Sequence, residues 1–447
     1  MFAALRRASA ALFVAASSVA GQTPAVKYDH YVLPNGLSVY LVEDHSTPVV
    51  SVDIWYSTGS RNEQVHRTGF AHLFEHMMFQ GSSNVKKGEH LQLVERAGGQ
   101  LNGTTNDDRT AYWETIPSNR LNLGLWLEAD RMRSLAVTDS NFENQRQAVK
   151  EERRLRVDNQ PYAAVVTDGI TLLFDSTACF PYAHSTIGSM ADLDAARTPD
   201  VQAFFHAYYA PNNATLVIAG DLAPAATKAM ITQDFGDIPR VADPPPVSCQ
   251  ANYAPGAKLK TWEDQHATLP AVIVAYRIPP HNDPDSRALD LLGTILGGGE
   301  SSRLNRALVR DAKTALQAFA SQQSRLGPGF FFSGAIANQG ASPDTIAVQL
   351  AAQVALLGTG ALSDSEVTKA KNEFRARTVF GQQTSLSMAE AIQHYAHFHD
   401  HVDEINTDLN AYLSITAADL RRVAQKYLVP ANSLTIKVVT KSAGGDR

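Results

Sequence analysis

An α+β architecture of two homologous sandwich domains, each an antiparallel-rich sheet packed against helices, is predicted by three features of the sequence. The chain has 447 residues, more than one hydrophobic core usually organises. Tyr208-Tyr-Ala-Pro211-Asn-Asn213 and Tyr427-Leu-Val-Pro430-Ala-Asn432 repeat one pattern, with tyrosine, proline and asparagine all offset by 219. In each copy an amphipathic helix stops before the proline and a turn feeds a β-branched strand. The apolar strands at 48–56 and 270–278 stand at matching places near the two starts, the mark of a duplication. Strands at both ends of a helical middle suit an α+β sandwich better than strict βαβ winding.

The elements follow in order. Arg6 and Arg7, the apolar run 8–16 and the small residues Ser18-Val19-Ala20 read as a signal peptide spanning 1–20. The other reading is a helical or disordered start of a chain that stays in the cytoplasm. No later stretch reaches the roughly 18 apolar residues of a membrane span, so the mature chain is expected to be periplasmic or secreted, without a transmembrane anchor. A first domain is expected over 21–240. Its residues 31–56 alternate in polarity around an Asn35-Gly36 hairpin turn, and 120–136 carry helical spacing. The proline-rich stretch 241–256 reads as an extended linker, and 257–447 as the second domain. With 44% apolar and 19% charged residues the chain is a folded globular protein. Its 39 basic and 45 acidic residues offer no general phosphate-binding surface, which argues against nucleic acid as a partner. The two cysteines, Cys179 and Cys249, are too few for a disulfide framework but could pair in an oxidising compartment.

The chemistry concentrates in the first copy, in His72-Leu-Phe-Glu75-His76. Positions four apart share a helix face, so His72 and His76 can offer two imidazoles to one metal ion. Glu75 projects beside them and can take a proton from water. The order H-x-x-E-H inverts the commoner H-E-x-x-H zincin pattern. The acidic segment Phe142 to Arg154 offers a third ligand in Glu151 or Glu152. These point about 100° apart on a helix, and the residues alone do not choose between them.

These motifs resemble the M16 family of zinc metallopeptidases, the inverzincins that include pitrilysin and mitochondrial processing peptidase. The resemblance runs from Leu33-Pro-Asn-Gly-Leu37 through both Pro-Asn units to the C-terminus. It implies zinc as cofactor, His72, His76 and Glu152 as ligands, and Glu75 as general base. Glu152 lies 76 positions after His76, where the family places its third ligand. The segment Gly98 to Pro117 is similar to the family's substrate-pairing edge strand. Within it Asn102 is expected to orient a carbonyl or contact the peptide substrate, its other role being a turn residue before Gly103. Tyr182 and His184 resemble a structural loop behind the site rather than catalytic groups. The two-domain length is similar to the half-sized members, whose subunits pair to enclose a chamber.

Two positions depart from the family pattern. Gln145 stands where a glutamate often supports a zinc-bound histidine, so that support should be weaker. In the second half Arg310 fits an arginine that approaches substrate across the chamber, but Gln317 replaces the tyrosine seven residues later. The resemblance therefore implies a related M16-like partner that supplies an Arg/Tyr pair, a heterodimer being favoured over a homodimer. Arg310 is read as a catalytic, charge-stabilising residue that also binds substrate, its other reading being a surface residue. The expected function is a zinc-dependent endopeptidase subunit acting on extended or unfolded peptides. The alternative is a noncatalytic peptide-binding or assembly subunit of such a complex.

Overall fold

The computed structural model describes residues 25–249, 256–399 and 401–440. The signal peptide read at 1–20 and positions 250–255 of the expected linker lie outside the described residues. The first half runs β1 (Asp29–Val32), β2 (Ser38–Glu43), β3 (Val49–Tyr56), α1 (Phe70–Met77), α2 (Glu89–Arg96), β4 (Gln100–Thr105), β5 (Thr110–Pro117), α3 (Leu121–Ser134), α4 (Asp139–Arg153), α5 (Met190–Ala195), α6 (Thr198–Tyr208), β6 (Ala214–Gly220) and α7 (Pro224–Phe235). The second runs β7 (Lys258–Asp264), β8 (Ala271–Ile278), α8 (Ser286–Gly297), β9 (Ala315–Gln323), β10 (Gly329–Ala337), α9 (Pro343–Thr359), α10 (Asp364–Phe380), α11 (Ser385–Phe398), α12 (Asp408–Ser414), α13 (Ala417–Tyr427) and β11 (Ser433–Thr440). Among the described residues no single helix is long and apolar enough to cross a membrane.

The first sheet has the order β1-β2-β6-β3-β5-β4 and the second β7-β11-β8-β10-β9. Apart from β1, the two orders match strand for strand. Both sheets are mixed: β2 pairs with β6 and β7 with β11 in parallel, while every other pair is antiparallel. The parallel pair arises because the last strand of each half returns beside an early one through the helical middle. Asn35 and Gly36 turn β1 into β2, with Gly36 at φ 96°, in the left-handed region that glycine adopts without steric cost.

Both faces of each sheet are buried, and the period of two sorts the strand residues between them. Leu41, Val52, Ile54 and Ile218 face the helices of the first half. Tyr40, Val42, Val217 and Ala219 face the other way, against Ala389, Ile392 and Tyr395 of α11. The second sheet mirrors this. Val272, Val274 and Tyr276 pack on α8, α9 and α13. Ala271, Ile273 and Ala275 instead meet Val165, Ile170, Leu173 and Phe174 of the first half. Each half thus lends a helical segment to the other half's sheet. Hydrogen bonds fix the crossing of α11, where the Gln393 amide donates to the Asp53 and Thr215 carbonyls at 2.9 Å each.

The halves also meet at their hairpin turns. Asp108, between β4 and β5, accepts the Tyr182 hydroxyl at 2.8 Å and the Leu326 amide at 3.0 Å, and that hydroxyl accepts the Gly327 amide at 2.8 Å. Beside it Arg325, between β9 and β10, lies 3.1 Å from Asp107. Cys179 and Cys249 form a disulfide that ties the chain leaving the first half to the segment that covers the second sheet.

Helix α1 is anchored at its start by groups distant in sequence. Gly69 is left-handed at φ 89° and packs back-to-back on Gly188, where a β-carbon would lie 2.4 Å from the Gly69 α-carbon. Gly69 has no side chain to cap the helix. The buried Glu63 carboxylate does so, accepting the Gly69 amide at 2.9 Å and the Ala71 amide at 2.8 Å. His184 holds Glu63 in turn, at 3.1 Å.

Two stability predictions follow from this packing. Ile392→Ala removes a fully buried contact across the halves and should cost about 2–5 kcal/mol, with one cooperative melting transition retained in calorimetry. Glu63→Ala strips charged acceptors from two buried amides and should cost about 2–4 kcal/mol by denaturant titration, whereas Glu63→Gln should cost less.

Candidate functional site

The apolar side of α1 sets the direction of its polar side. Phe70, Leu73, Phe74 and Met77 are buried in the first core, so His72, Glu75 and His76 point out of it toward α4 and β4. Helix α4 is capped by the Thr138 hydroxyl, which accepts the Asn141 amide, and it ends with Glu152 in its last turn. The His72 Nε2 atom lies 3.6 Å and the His76 Nε2 atom 3.2 Å from Glu152 Oε2. Glu151 turns away, mostly exposed, and pairs with Arg154 at 3.1 Å. Of the two glutamates, it is Glu152 that lies on the face of α4 that meets α1.

These groups fit a zinc ion. Zinc bonds of about 2.0–2.1 Å in a tetrahedral shell put donor atoms roughly 3.4 Å apart, between the two distances found here. Burial, reinforced by the neighbouring His76, pushes the His72 imidazole down to about 4, so it is neutral and its ring nitrogen free to bind a cation. The adjacent His76 ring, ahead of His72 and Arg156, holds the Glu152 carboxyl below its ordinary range, which keeps it ionised. Arg156 reaches the other oxygen of Glu152 at 2.8 Å from an exposed position.

Glu75 stands apart from the ligand set. Its Oε2 accepts the Thr105 hydroxyl at 2.6 Å, and burial raises its pKa above the ordinary carboxylate value. Gly103 makes room for it, since a β-carbon there would lie 3.1 Å from the Glu75 Cγ. Gly103 and Thr105 both belong to β4, the outermost strand of the first sheet. The site opens into a cleft of about 420 Å³, lined by His72, Thr105 and Glu152 of the first half and by Gln323, Arg325 and Phe330 of the second.

The other residues singled out from sequence fall elsewhere. Asn102 is exposed on β4 and its side chain accepts the Gly103 amide at 2.9 Å. Arg310 is exposed on a wide helical segment at 305–311 and does not line the cleft. Gln317 is exposed on β9. Gln145 donates to Asn144 at 2.8 Å, and the buried His72 Nδ1 has no hydrogen-bond partner among the described residues. Tyr182 and His184 hold the turn and the α1 cap described above. Sequence reasoning missed Glu63 and Thr105. Thr105 was within reach, because Gly103 and Thr105 share one face of a strand; Glu63 lies six residues before Gly69, outside any helix-capping spacing.

Both halves of the chain match known proteins. Residues 38–173 match the Insulinase (Peptidase family M16) family, and residues 197–374 match the Peptidase M16 inactive domain. The chain is 29% identical over 434 residues to the zinc protease PqqE of Helicobacter pylori, covering 96% of each. It resembles the crystal structure of a protease from Helicobacter pylori, with TM-score 0.87 and 28% identity over 93% of this chain and 100% of that one. The fold also matches a peptidase M16 inactive domain from Pseudomonas fluorescens, with TM-score 0.81 and 17% identity over 94% and 99% of the two chains. The chain thus has an M16-family zinc-metallopeptidase-like fold carrying two M16 domains.

Proposed function

We propose that the protein is a zinc-dependent endopeptidase subunit that hydrolyses extended or unfolded peptides. One observation carries the reading: His72, His76 and Glu152 converge on one point while Glu75, a residue away, is held by a hydroxyl from an edge strand. His72 and His76 Nε2 and the Glu152 carboxylate would hold the zinc, and the chemistry zinc supplies when bound is Lewis acidity toward the scissile carbonyl and toward water. Thr105 holds one oxygen of Glu75, which orients the carboxylate. Glu75 then takes a proton from the attacking water and passes it to the leaving amine. Its raised pKa suits this exchange, since a base must also be able to return the proton.

Substrate binding follows from β4. Its outer edge is unpaired among the described residues, so an extended peptide can add as a further strand through backbone hydrogen bonds, with weak dependence on side-chain sequence. Asn102, exposed on that strand, is proposed to contact the peptide. Arg310, outside its own chain's cleft, is proposed to act across a chamber formed with a related subunit. That subunit would contribute the Arg/Tyr pair that Gln317 interrupts here, and an unlike partner accounts for the interruption better than a second copy. The domains proposed are 21–240 and 257–447, joined by 241–256. Export to the periplasm or beyond agrees with the disulfide, which an oxidising compartment preserves.

The test is cleavage of an unstructured peptide library by the zinc-loaded chain, alone and with a copurifying partner. Glu75→Gln should lower turnover at least about 100-fold with zinc content unchanged. Partner-dependent cleavage supports the divided chamber. Absence of specific cleavage by correctly folded, zinc-loaded protein with partner present overturns the enzymatic reading in favour of a peptide-binding subunit. Thr105→Val should lower kcat with little change in KM, because it frees Glu75 without touching the peptide edge.

A further inference from the structure

A second group of imidazoles lies far from this site in sequence. His281 stands in the loop between β8 and α8, and His394 and His399 stand at the end of α11, where that helix crosses onto the first sheet. One ring nitrogen from each lies within 4.8 Å of the other two, and the Nε2 atoms of His281 and His399 are 2.9 Å apart. Among the described residues only His399 has a hydrogen-bonding carboxylate.

That carboxylate is placed as an outer support. Glu404 Oε2 accepts from His399 Nδ1 at 3.0 Å, and the His399 Nε2 atom faces His281 Nε2. Arg287 lies close enough to oppose a cation, but it is paired with Glu404 at 3.0 Å and with Asp408 at 2.5 Å. One positive charge against two negative ones leaves the surroundings of the rings net acidic. His394 makes no hydrogen bond among the described residues, although its ring packs edge-on against His281 with centroids 4.9 Å apart.

We infer that His281, His394 and His399 form a second metal site, for a divalent cation of the zinc, nickel or copper class. Three imidazole nitrogen donors exclude calcium and magnesium, which take oxygen ligands. Insertion of the ion parts the His281–His399 contact from 2.9 Å to roughly the 3.4 Å of a tetrahedral shell. The ion would clamp the β8–α8 loop to the helix that joins the two halves. Its role is structural and independent of peptide hydrolysis.

The experiment measures zinc retained by the full chain after dialysis, in a His72→Ala/His76→Ala background that disables the first centre. That background should keep one equivalent of zinc. His399→Gln added to it should remove the equivalent, and His401→Gln, an exposed neighbour outside the cluster, should not. If His399→Gln unfolds, His394→Gln takes its place, because its ring makes no hydrogen bond and its loss leaves the His281–His399 contact intact. A background chain that keeps no zinc, or that keeps it after His394→Gln or His399→Gln, overturns the second site without bearing on the first.

Discussion

Each sheet presents two apolar faces, and the helices of each half cover only one of them. The open face of the first sheet is closed by α11 of the second half, and the open face of the second by residues 165–174 of the first. Neither half can shed water from both sides of its sheet alone, so folding and the relative placement of the halves are one event. The turns at Asp107–Asp108 and Arg325–Gly327 meet as a consequence, and with them the two walls of the cleft. The cleft is therefore assembled by domain packing even though His72, Glu75, His76 and Glu152 all come from the first half.

Within that frame the reactive groups are held by interactions that do not compete with their chemistry. Glu63 and His184 fix the start of α1 from behind, and the Gly69–Gly188 contact fixes its approach. The faces of α1 and α4 bring two imidazoles and one carboxylate to spacings that suit zinc, without a hydrogen bond to the His72 Nδ1 atom. Gln145 does not offer a charge there. Glu75 is buried enough to raise its pKa, whereas Glu152 is kept ionised by the imidazoles beside it. Two carboxylates in one cleft thus take different protonation behaviour from different neighbours, which suits one as proton carrier and the other as ligand.

The repeated helix-proline-strand units made the duplication legible, because a constant offset of 219 survives divergence of the side chains. The structure places β6 and β11 after those prolines and gives the two sheets one strand order. The mixed pairing was not legible, since strand direction depends on where the last strand returns. The exchange of segments between halves was also hidden: nothing local in residues 165–174 or 385–398 says which sheet they cover. His72, Glu75 and His76 stood out because helical spacing alone puts them on one face. Glu152 was separated from Glu151 only by resemblance, and here by contact. The three-histidine cluster escaped notice because its members come from two segments 113 positions apart, His281 and His394, that meet only in the fold.

The account stands on the convergence of His72, His76 and Glu152 around one cation beside Glu75. Anomalous X-ray scattering at the zinc edge, on crystals of the zinc-loaded chain, tests it most directly. The account predicts a peak bonded to the Nε2 atoms of His72 and His76 and to the Glu152 carboxylate, with Glu151 turned to solvent and Glu75 unligated. No peak between α1 and α4, or a zinc ion held through Glu151 or Glu75, would contradict it.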